Sequence, residues 1–597
     1  MTAYAAPLAE MRFVINELAD LGAVTALPGF EEVTPDLVDQ ILEEAGKFGS
    51  EVLAPINQIG DQQGCTFQNG VVRAADGFVE AYAQFIATGW NGVAFDPEYG
   101  GQGLPWIVQT SCAEVWSSAN MAFSLCPMLT QAACELLSQH GTPEMKDTYL
   151  EKLISGWWTG TMDLTEPQAG SDLARVRTRA VKEGDHYKLY GQKIFITWGE
   201  HDLTENIIHM VLARNPDGPP GVKGLSLFLV PKFLVNEDGS VGQRNDVRCV
   251  SIEHKLGING SATAVLSFGD DTGAIGYLIG EENEGLRYMF MMMNNARLAV
   301  GLEGVGIAER AWQLARDFAL ERVQGRAIDG DDPSPVPIAH HPDVQRMLLS
   351  MKSQTEAARA VAYFAATCID LAHHHPDESV RRERQALVDL LIPVVKAWST
   401  DIGIEVANTG IQVHGGMGYI EESDAPQHLR DARIAAIYEG TNGIQAADLV
   451  GRKVARENGA TATAFVAMVR ALDAELAPSA SNDVQVIRER LRAATQDLAE
   501  ATDWLVRTNP SEPRAVAAGA VHYLRLLGIV AGGWQMARAA LAAENHLEAG
   551  DGDPVFLRAK VVSARFFADT YMTLSGALLA QFREGGGVVA SLDVAHL

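Results

Sequence analysis

The chain has 597 residues, a formal net charge of −29, 47% apolar residues and 21% charged residues. That length exceeds what one hydrophobic core supports, and the composition is that of a globular protein rather than a disordered one. The acidic balance argues against nucleic acid, whose phosphates need clustered Lys and Arg, and disfavours docking on anionic lipid.

The six cysteines (Cys65, Cys112, Cys126, Cys134, Cys249 and Cys368) are scattered with no C-x-x-C pair, which predicts reduced thiols and no metal site. The opening MTAYAAPLAEMRFVINELAD has no basic segment followed by an apolar run, so it does not read as a secretory signal. Apolar stretches such as 526–537 fall short of the ~20 residues that cross a bilayer. These features predict a soluble, cytoplasmic protein without integral membrane association.

Residues 1–34 read as a short amphipathic segment ending at Leu27-Pro28-Gly29. Thr34-Pro35-Asp36 has the form of an N-cap with proline in the first turn, and LVDQILEEAGKFGSEVLAPI follows at helical spacing. Helices continue to about residue 158, broken at the glycine-rich stretch 99–105, and make a helical N-terminal domain over 35–158. Alternating segments (HYKLYGQKIFIT, NIIHMVLAR, GLSLFLVP, TAVLSF) then predict a central antiparallel β domain over 159–280. Long helical runs return over 281–455. After the breaker Asn458-Gly459, an alanine-rich helical block occupies 460–597. The fold class is therefore mostly α with a central antiparallel β domain.

Four stretches carry chemistry. In MDLTEPQAGSDL (162–173), Thr165 and Ser171 offer hydroxyls and Ala169-Gly170 permits close approach of a ligand, although a polar turn entering a strand has the same composition. KIFIT (193–197) places an aromatic ring beside a hydroxyl, suited to walling a flat heterocycle or simply to a core. GIQVHGGMGY (410–419) joins glycines to Gln412 and His414, which suits either backbone N–H groups near a pyrophosphate or a helix C-cap and loop. It is no dinucleotide fingerprint, because no strand–turn–helix unit surrounds it. In RIAAIYEGTNGIQ (433–445), Glu439 stands in an apolar run before Gly440. Partial desolvation there would raise its carboxyl toward the range of a general base, and a surface Glu starting a helix is the alternative.

Taken together and in this order, LTEPQAGSDL, KIFIT, EHKLGINGSAT, NNARLAVG, ERVQGR, QVHGGMGY and RDARIAAIYEGTNGIQ make the chain resemble the acyl-CoA dehydrogenase family over roughly residues 35–450. The resemblance implies a helical N-domain, a β domain and a C-terminal four-helix bundle (281–455), with the block at 460–597 as an additional helical domain. It also implies FAD between the last two family domains, reaching into a neighbouring subunit. On it, Met162, Leu164 and Thr165 line the flavin ring, Phe195 and Thr197 flank its other side, and Ser171 bonds the cofactor or the CoA arm. Phe195 stands where most family members have Trp, and Gln168 replaces a common Gly, which leaves the local backbone shape open. Arg322 and Gln324 match the pyrophosphate-holding positions. Gln412, Gly415 and Gly416 match the ADP half across the interface, and Thr441 and Asn442 the adenine-side phosphate loop. Arg297 matches the arginine near the CoA nucleotide, and Gly440 a substrate-binding position.

The reaction implied is α,β-dehydrogenation of an acyl-CoA to the trans-2-enoyl-CoA, with Glu439 taking the α-proton. Part of the family carries its base beside the arginine of the earlier helix, where this chain has Ala296. Electron-transfer flavoprotein is the implied acceptor, and a homodimer or dimer of dimers the implied assembly. The rival expectations are an acyl-CoA oxidase using O₂ and an inactive CoA- or flavin-binding scaffold. The extra length and TWGEHDLTENIIHMVLAR are similar to the long bacterial branch, which includes 3-methylmercaptopropionyl-CoA dehydrogenases and broad-range medium- and long-chain enzymes. Trp116 and Phe123 are candidates for the boundary of the acyl pocket or for plain core.

Overall fold

A computed structural model describes residues 4–328 and 334–596. The chain divides into two compact units, one of residues 44–299 and the other of residues 1–43 with 300–597.

The second of these begins with helix α1 (Leu8–Phe13), and Thr34 then caps helix α2 (Pro35–Phe48) by accepting the Leu37 N–H at 3.2 Å, as the sequence predicts. In unit 44–299, helices α3 (Trp106–Ala119) and α4 (Met121–His140) are buried along most of their length. Trp116 and Phe123 face inward: Trp116 packs on Phe48, Phe85 and Trp90, and Phe123 on Phe78, Tyr82 and Phe85.

Eight strands of one sheet follow: β1 (Trp158–Asp163), β2 (Arg179–Glu183), β3 (His186–Thr197), β4 (Asn206–Arg214), β5 (Leu225–Pro231), β6 (Val247–Ile252), β7 (Thr263–Phe268) and β8 (Ala274–Ile279). Their order is β6-β7-β3-β8-β5-β4-β1, with β2 pairing β3 and touching β4. The sheet is antiparallel except at β4, which β1 meets in parallel with Trp158–Asp163 lying opposite Asn206–Val211, and which β2 touches in parallel at Arg179–Arg214. Alternation in the sequence reports which face is buried, not strand direction, so this parallel pair was not predictable from it. The unit's core gathers Leu136, Leu153, Trp158, Met210, Leu227 and Met289, all buried.

Helix α5 (Gly285–Glu321) comes next, then α6 (Pro342–His374), α7 (Glu378–His414), α8 (Ala425–Ala435) and α9 (Asn442–Asp448). Glycines set how closely the bundle packs: a Cβ on Gly304 would lie 2.4 Å from the Ser399 carbonyl oxygen on α7. Asn458 and Gly459 adopt φ of 51° and 75°, ending the bundle segment before helices α10 (Ala460–Ala471), α11 (Asn482–Thr508), α12 (Pro513–Ala549) and α13 (Pro554–Thr570). One apolar stretch is longer than expected, since an 18-residue window of α12 meets the length and hydropathy of a membrane span. That window is 72% buried within the protein, as befits the central helix of this block.

Candidate functional site

In unit 44–299 the expected flavin-side residues sit at the end of β1 and on β3. Met162 is partly buried on β1, Leu164 is buried, and Thr165 is partly buried with its carbonyl accepting the Ile194 N–H at 2.9 Å. Ser171 is exposed further along the loop. Glu166 and Lys193, both buried, stitch that loop to β3. Lys193 Nζ donates to Glu166 Oε1 at 2.8 Å and to the Leu164 carbonyl at 2.9 Å. Glu166 also accepts the N–H groups of Arg177 at 2.7 Å and Thr178 at 3.0 Å. Burial raises the Glu166 carboxyl, but Lys193 and these donors outweigh it and hold it below its ordinary range. Gln168 lies in a tight turn closed by paired bonds between Glu166 and Ala169 at 3.0 and 2.9 Å. Its amide donates to Glu166 at 2.5 Å, so the loop closes without glycine there.

β3 carries a bulge at the next expected residue. Ile194 and Phe195 together stand opposite Val265 alone, because the register shifts between Lys193–Leu266 and Ile196–Ala264. Phe195 takes φ 61°, a conformation unfavourable for an aromatic residue, and its ring is 58% exposed. An exposed ring held on a strained bulge is a ready wall for a flat ligand. Thr197, at the strand end, pairs with Thr263. The next residue, Trp198, is buried instead and donates its indole N–H to the Ala122 carbonyl at 3.1 Å. On α5, Arg297 is buried with Nη1 3.4 Å from Asn294 Oδ1, and Ala296 is fully buried and offers no carboxylate.

The remaining expected residues lie in the other unit. Arg322 and Gln324 follow the end of α5 in an exposed segment, where the Arg322 carbonyl accepts the Ile338 N–H at 2.8 Å and the Gln324 carbonyl lies 2.7 Å from His341 Nε2. Gly415 caps α7 at φ 61°, and Gln412, Gly415 and Gly416 are all exposed. Among the described residues, nothing beyond the chain neighbours lies within 4 Å of where a Cβ would stand on either glycine, so a ligand can approach the backbone itself.

Glu439 stands between α8 and α9, partly buried, at φ 54°, and Gly440 follows at φ 82°. A left-handed Glu costs roughly 1–3 kcal/mol and persists only where neighbours dictate it. They do so here: Gln445 Nε2 donates to the carbonyls of Glu439 and Gly440, each at 3.1 Å, and the buried Lys396 Nζ of α7 donates to the Gly440 carbonyl at 2.9 Å. Thr441 caps α9 by accepting the Ile444 N–H at 3.2 Å. Asn442 Oδ1 accepts Lys396 Nζ at 2.9 Å, while Nδ2 donates to Asp401 Oδ1 at 2.7 Å and the Ala397 carbonyl at 3.1 Å. The side chain expected at a phosphate is thus committed to α7 and holds the loop.

Reading the sequence alone missed Glu166, Lys193, Lys396, Gln445, Tyr438 and Glu303. Lys396 in IPVVKAW and Glu303 in VGLEGVG were legible as ionisable residues inside runs otherwise apolar or small; Glu166 and Lys193 lay within quoted motifs but their pairing was not.

Comparison with known proteins gives consistent matches. Residues 36–157, 161–270 and 283–454 match the acyl-CoA dehydrogenase N-terminal, middle and C-terminal domains, and 460–593 match the acetyl-CoA dehydrogenase C-terminal-like domain. The chain is 49% identical over 566 residues to the 3-methylmercaptopropionyl-CoA dehydrogenase of Ruegeria pomeroyi, covering 95% of each chain. It is 33% identical over 613 residues to a broad-specificity linear acyl-CoA dehydrogenase of Mycobacterium tuberculosis, covering 99% of this chain and 98% of that one. In fold it is similar to an acyl-CoA dehydrogenase from Bacillus anthracis complexed with FAD, with a TM-score of 0.73 at 21% identity over 99% of this chain and 93% of that one.

Proposed function

Because this chain belongs to the acyl-CoA dehydrogenase family, whose members are FAD-dependent oxidoreductases, we propose that it converts an acyl-CoA to the trans-2-enoyl-CoA with Glu439 as the base. The observation that carries this reading is the Glu439 turn, a partly buried carboxylate in a left-handed conformation whose carbonyls are tied down by Lys396 and Gln445. Strain maintained by its surroundings is the mark of a functional position.

Each set of residues, taken by itself, suits part of FAD. The exposed Phe195 ring suits a flat heterocycle, and the open backbone at Gly415 and Gly416 suits a pyrophosphate. Met162, Leu164 and Thr165 would line the flavin, with Phe195 and Thr197 on its other side and Ser171 bonding cofactor or CoA. Arg322 and Gln324 would hold the pyrophosphate, Gln412, Gly415 and Gly416 the ADP half of a neighbouring subunit's cofactor, and Thr441 the adenine-side phosphate. When bound, FAD supplies the acceptor for the hydride leaving the substrate β-carbon. Glu439 takes the α-proton in the same conversion, so the two hydrogens lost leave a trans double bond. The Glu439 N–H donates to the thioester oxygen where negative charge develops, and a preorganised donor of this kind is a large catalytic term. Arg297 would serve the CoA nucleotide, and Gly440 the substrate beside the base.

The 49% identity to the Ruegeria enzyme over 95% of the chain supports a short thioether acyl group, 3-methylmercaptopropionyl-CoA, as substrate. Electrons then pass to electron-transfer flavoprotein. A homodimer or dimer of dimers is supported by the exposed Met417, Tyr419 and Ile420 beside the glycines. Six free cysteines, five of them buried, accord with the cytoplasm.

Purified protein mixed anaerobically with 3-methylmercaptopropionyl-CoA should bleach its flavin and yield the enoyl product, which mass spectrometry identifies. Turnover should depend on electron-transfer flavoprotein. Peroxide formed in step with acyl-CoA consumption would establish the oxidase instead, and absence of bleaching with every acyl-CoA would leave only a scaffold.

A further inference from the structure

A second carboxylate lies buried next to the Glu439 turn, and the chemistry above makes no use of it. Glu303 of α5 is 1% exposed. Its Oε2 accepts the hydroxyl of Tyr438, the residue immediately before Glu439. Its Oε1 has no hydrogen-bond partner among the described residues. Lys396, from α7, donates to the Gly440 carbonyl at 2.9 Å, on the other side of Glu439. The strained residue is therefore flanked by two anchors, a ring clamped at Tyr438 and a carbonyl clamped at Gly440.

Around Glu303, α5 and α7 approach closely. Gly301 and Gly304, on either side of Glu303, sit so close to α7 that a Cβ on either would lie 2.5 Å or less from Val395 Cγ1 or the Ser399 carbonyl oxygen. Water is excluded at such a contact, and a charge placed there is costly to ionise. The groups acting on Glu303 are Tyr438 and Glu439 from the loop and Lys396 from α7. Burial pushes the Glu303 carboxyl up to about 8, the nearby Glu439 adds to the rise, and Tyr438 and Lys396 oppose it. Desolvation and two neighbouring carboxyls keep the half-buried Tyr438 protonated and able to donate.

We propose that Glu303 is a positioning residue for Glu439, gripping Tyr438 from helix α5 and so fixing the turn that presents the base. The inference rests on the reading of Glu439 as that base. A protonated Glu303 serves this purpose at neutral pH, because its oxygen still accepts from Tyr438 and it adds no second negative charge beside Glu439. Above its own titration it becomes an anion, and Glu439 then responds to a new like charge.

The test uses the FAD-loaded enzyme with four substitutions. Glu303→Leu and Tyr438→Phe, which release the clamp, should lower the rate of flavin reduction roughly ten- to hundredfold with little change in flavin content, as displacement of a reacting group does. Glu303→Gln keeps an acceptor for Tyr438 and should restore most of that loss at pH 7. It should also erase the inflection near pH 8 in the wild-type profile of flavin reduction, together with the infrared carbonyl band of a buried protonated carboxyl. Glu439→Gln separates the two readings. If Glu439→Gln abolishes reduction while Glu303→Leu and Tyr438→Phe reduce flavin at the wild-type rate, the positioning role alone is overturned. Persistence of the pH 8 inflection or of the carbonyl band in Glu303→Gln overturns it as well. If Glu439→Gln remains active, the base assignment falls first and this inference with it.

Discussion

Replacing Lys193 with Met removes a buried cation from β3 while keeping most of its volume. The variant loses the Nζ bonds to Glu166 Oε1 at 2.8 Å and to the Leu164 carbonyl at 2.9 Å. Glu166, 3% exposed, keeps the Arg177 and Thr178 N–H groups and the Gln168 amide but has no counter-charge. Breaking one half of a buried pair costs about 3–5 kcal/mol, because the remaining charge stays desolvated. At about 1.4 kcal/mol per factor of ten, the loop 164–178 should open roughly 10²- to 4 × 10³-fold more often. Hydrogen exchange read by mass spectrometry measures this directly, with protection lost at the loop peptides and retained in β4 and β5. Removing the charge of Glu166 as well, in Glu166→Gln with Lys193→Met, should recover much of the protection. The sign with pH follows from the depressed Glu166 carboxyl. Its contribution is present above the ordinary carboxylate range and disappears as pH falls through the folded-state value. Wild-type protection of the loop in Lys193→Met, or an equal loss across every strand, would refute the reasoning.

Lys560 of α13 bonds Glu10 at 2.7 Å and Glu356 at 3.2 Å, so Lys560→Met should cost about 3–5 kcal/mol and make the segment at 8–18 susceptible to proteolysis. Glu356 resists the upward pull of burial because Lys352 and Lys560 hold it down at about 2; its stabilisation is complete above 4.5 and should be lost in acid titration as pH falls toward 2. Burial depresses His201 to about 3 from 6.5, so unfolding titrations should show stability lost below pH 6.5 at up to about 1.4 kcal/mol per pH unit, a slope that His201→Gln removes. Phe123→Ala should destabilise unit 44–299 by about 3–5 kcal/mol in chemical denaturation without extending the acyl chains accepted, because the ring packs on Phe78, Tyr82 and Phe85.

Local signals carried much of the fold. Thr34-Pro35 marked a helix start because a capping hydroxyl and a fixed proline φ act within one turn, and Asn458-Gly459 marked a break because both residues adopt positive φ. The parallel β1–β4 pair stayed hidden, since it joins segments over 40 residues apart with no local sign of direction. At the candidate site, Glu439 was legible from its apolar setting, but its left-handed backbone was not, because the contacts that dictate it come from Lys396 and Gln445. The bonds that tie the Asn442 side chain to α7 stayed hidden for the same reason: its partners Ala397 and Asp401 are distant in sequence. Phe195, taken alone, read more readily as core, and the bulge opposite Val265 leaves it exposed instead.

Single-turnover flavin reduction by Glu439→Gln, mixed anaerobically with 3-methylmercaptopropionyl-CoA, tests the assignment of the base most directly. Gln keeps the size of the side chain and removes only its capacity to take a proton. Loss of a general base lowers rates by about 10²–10⁴. The variant should bind the substrate, seen as a perturbed flavin spectrum, and bleach at least a hundredfold more slowly than wild type. Bleaching at the wild-type rate would show that another group removes the α-proton.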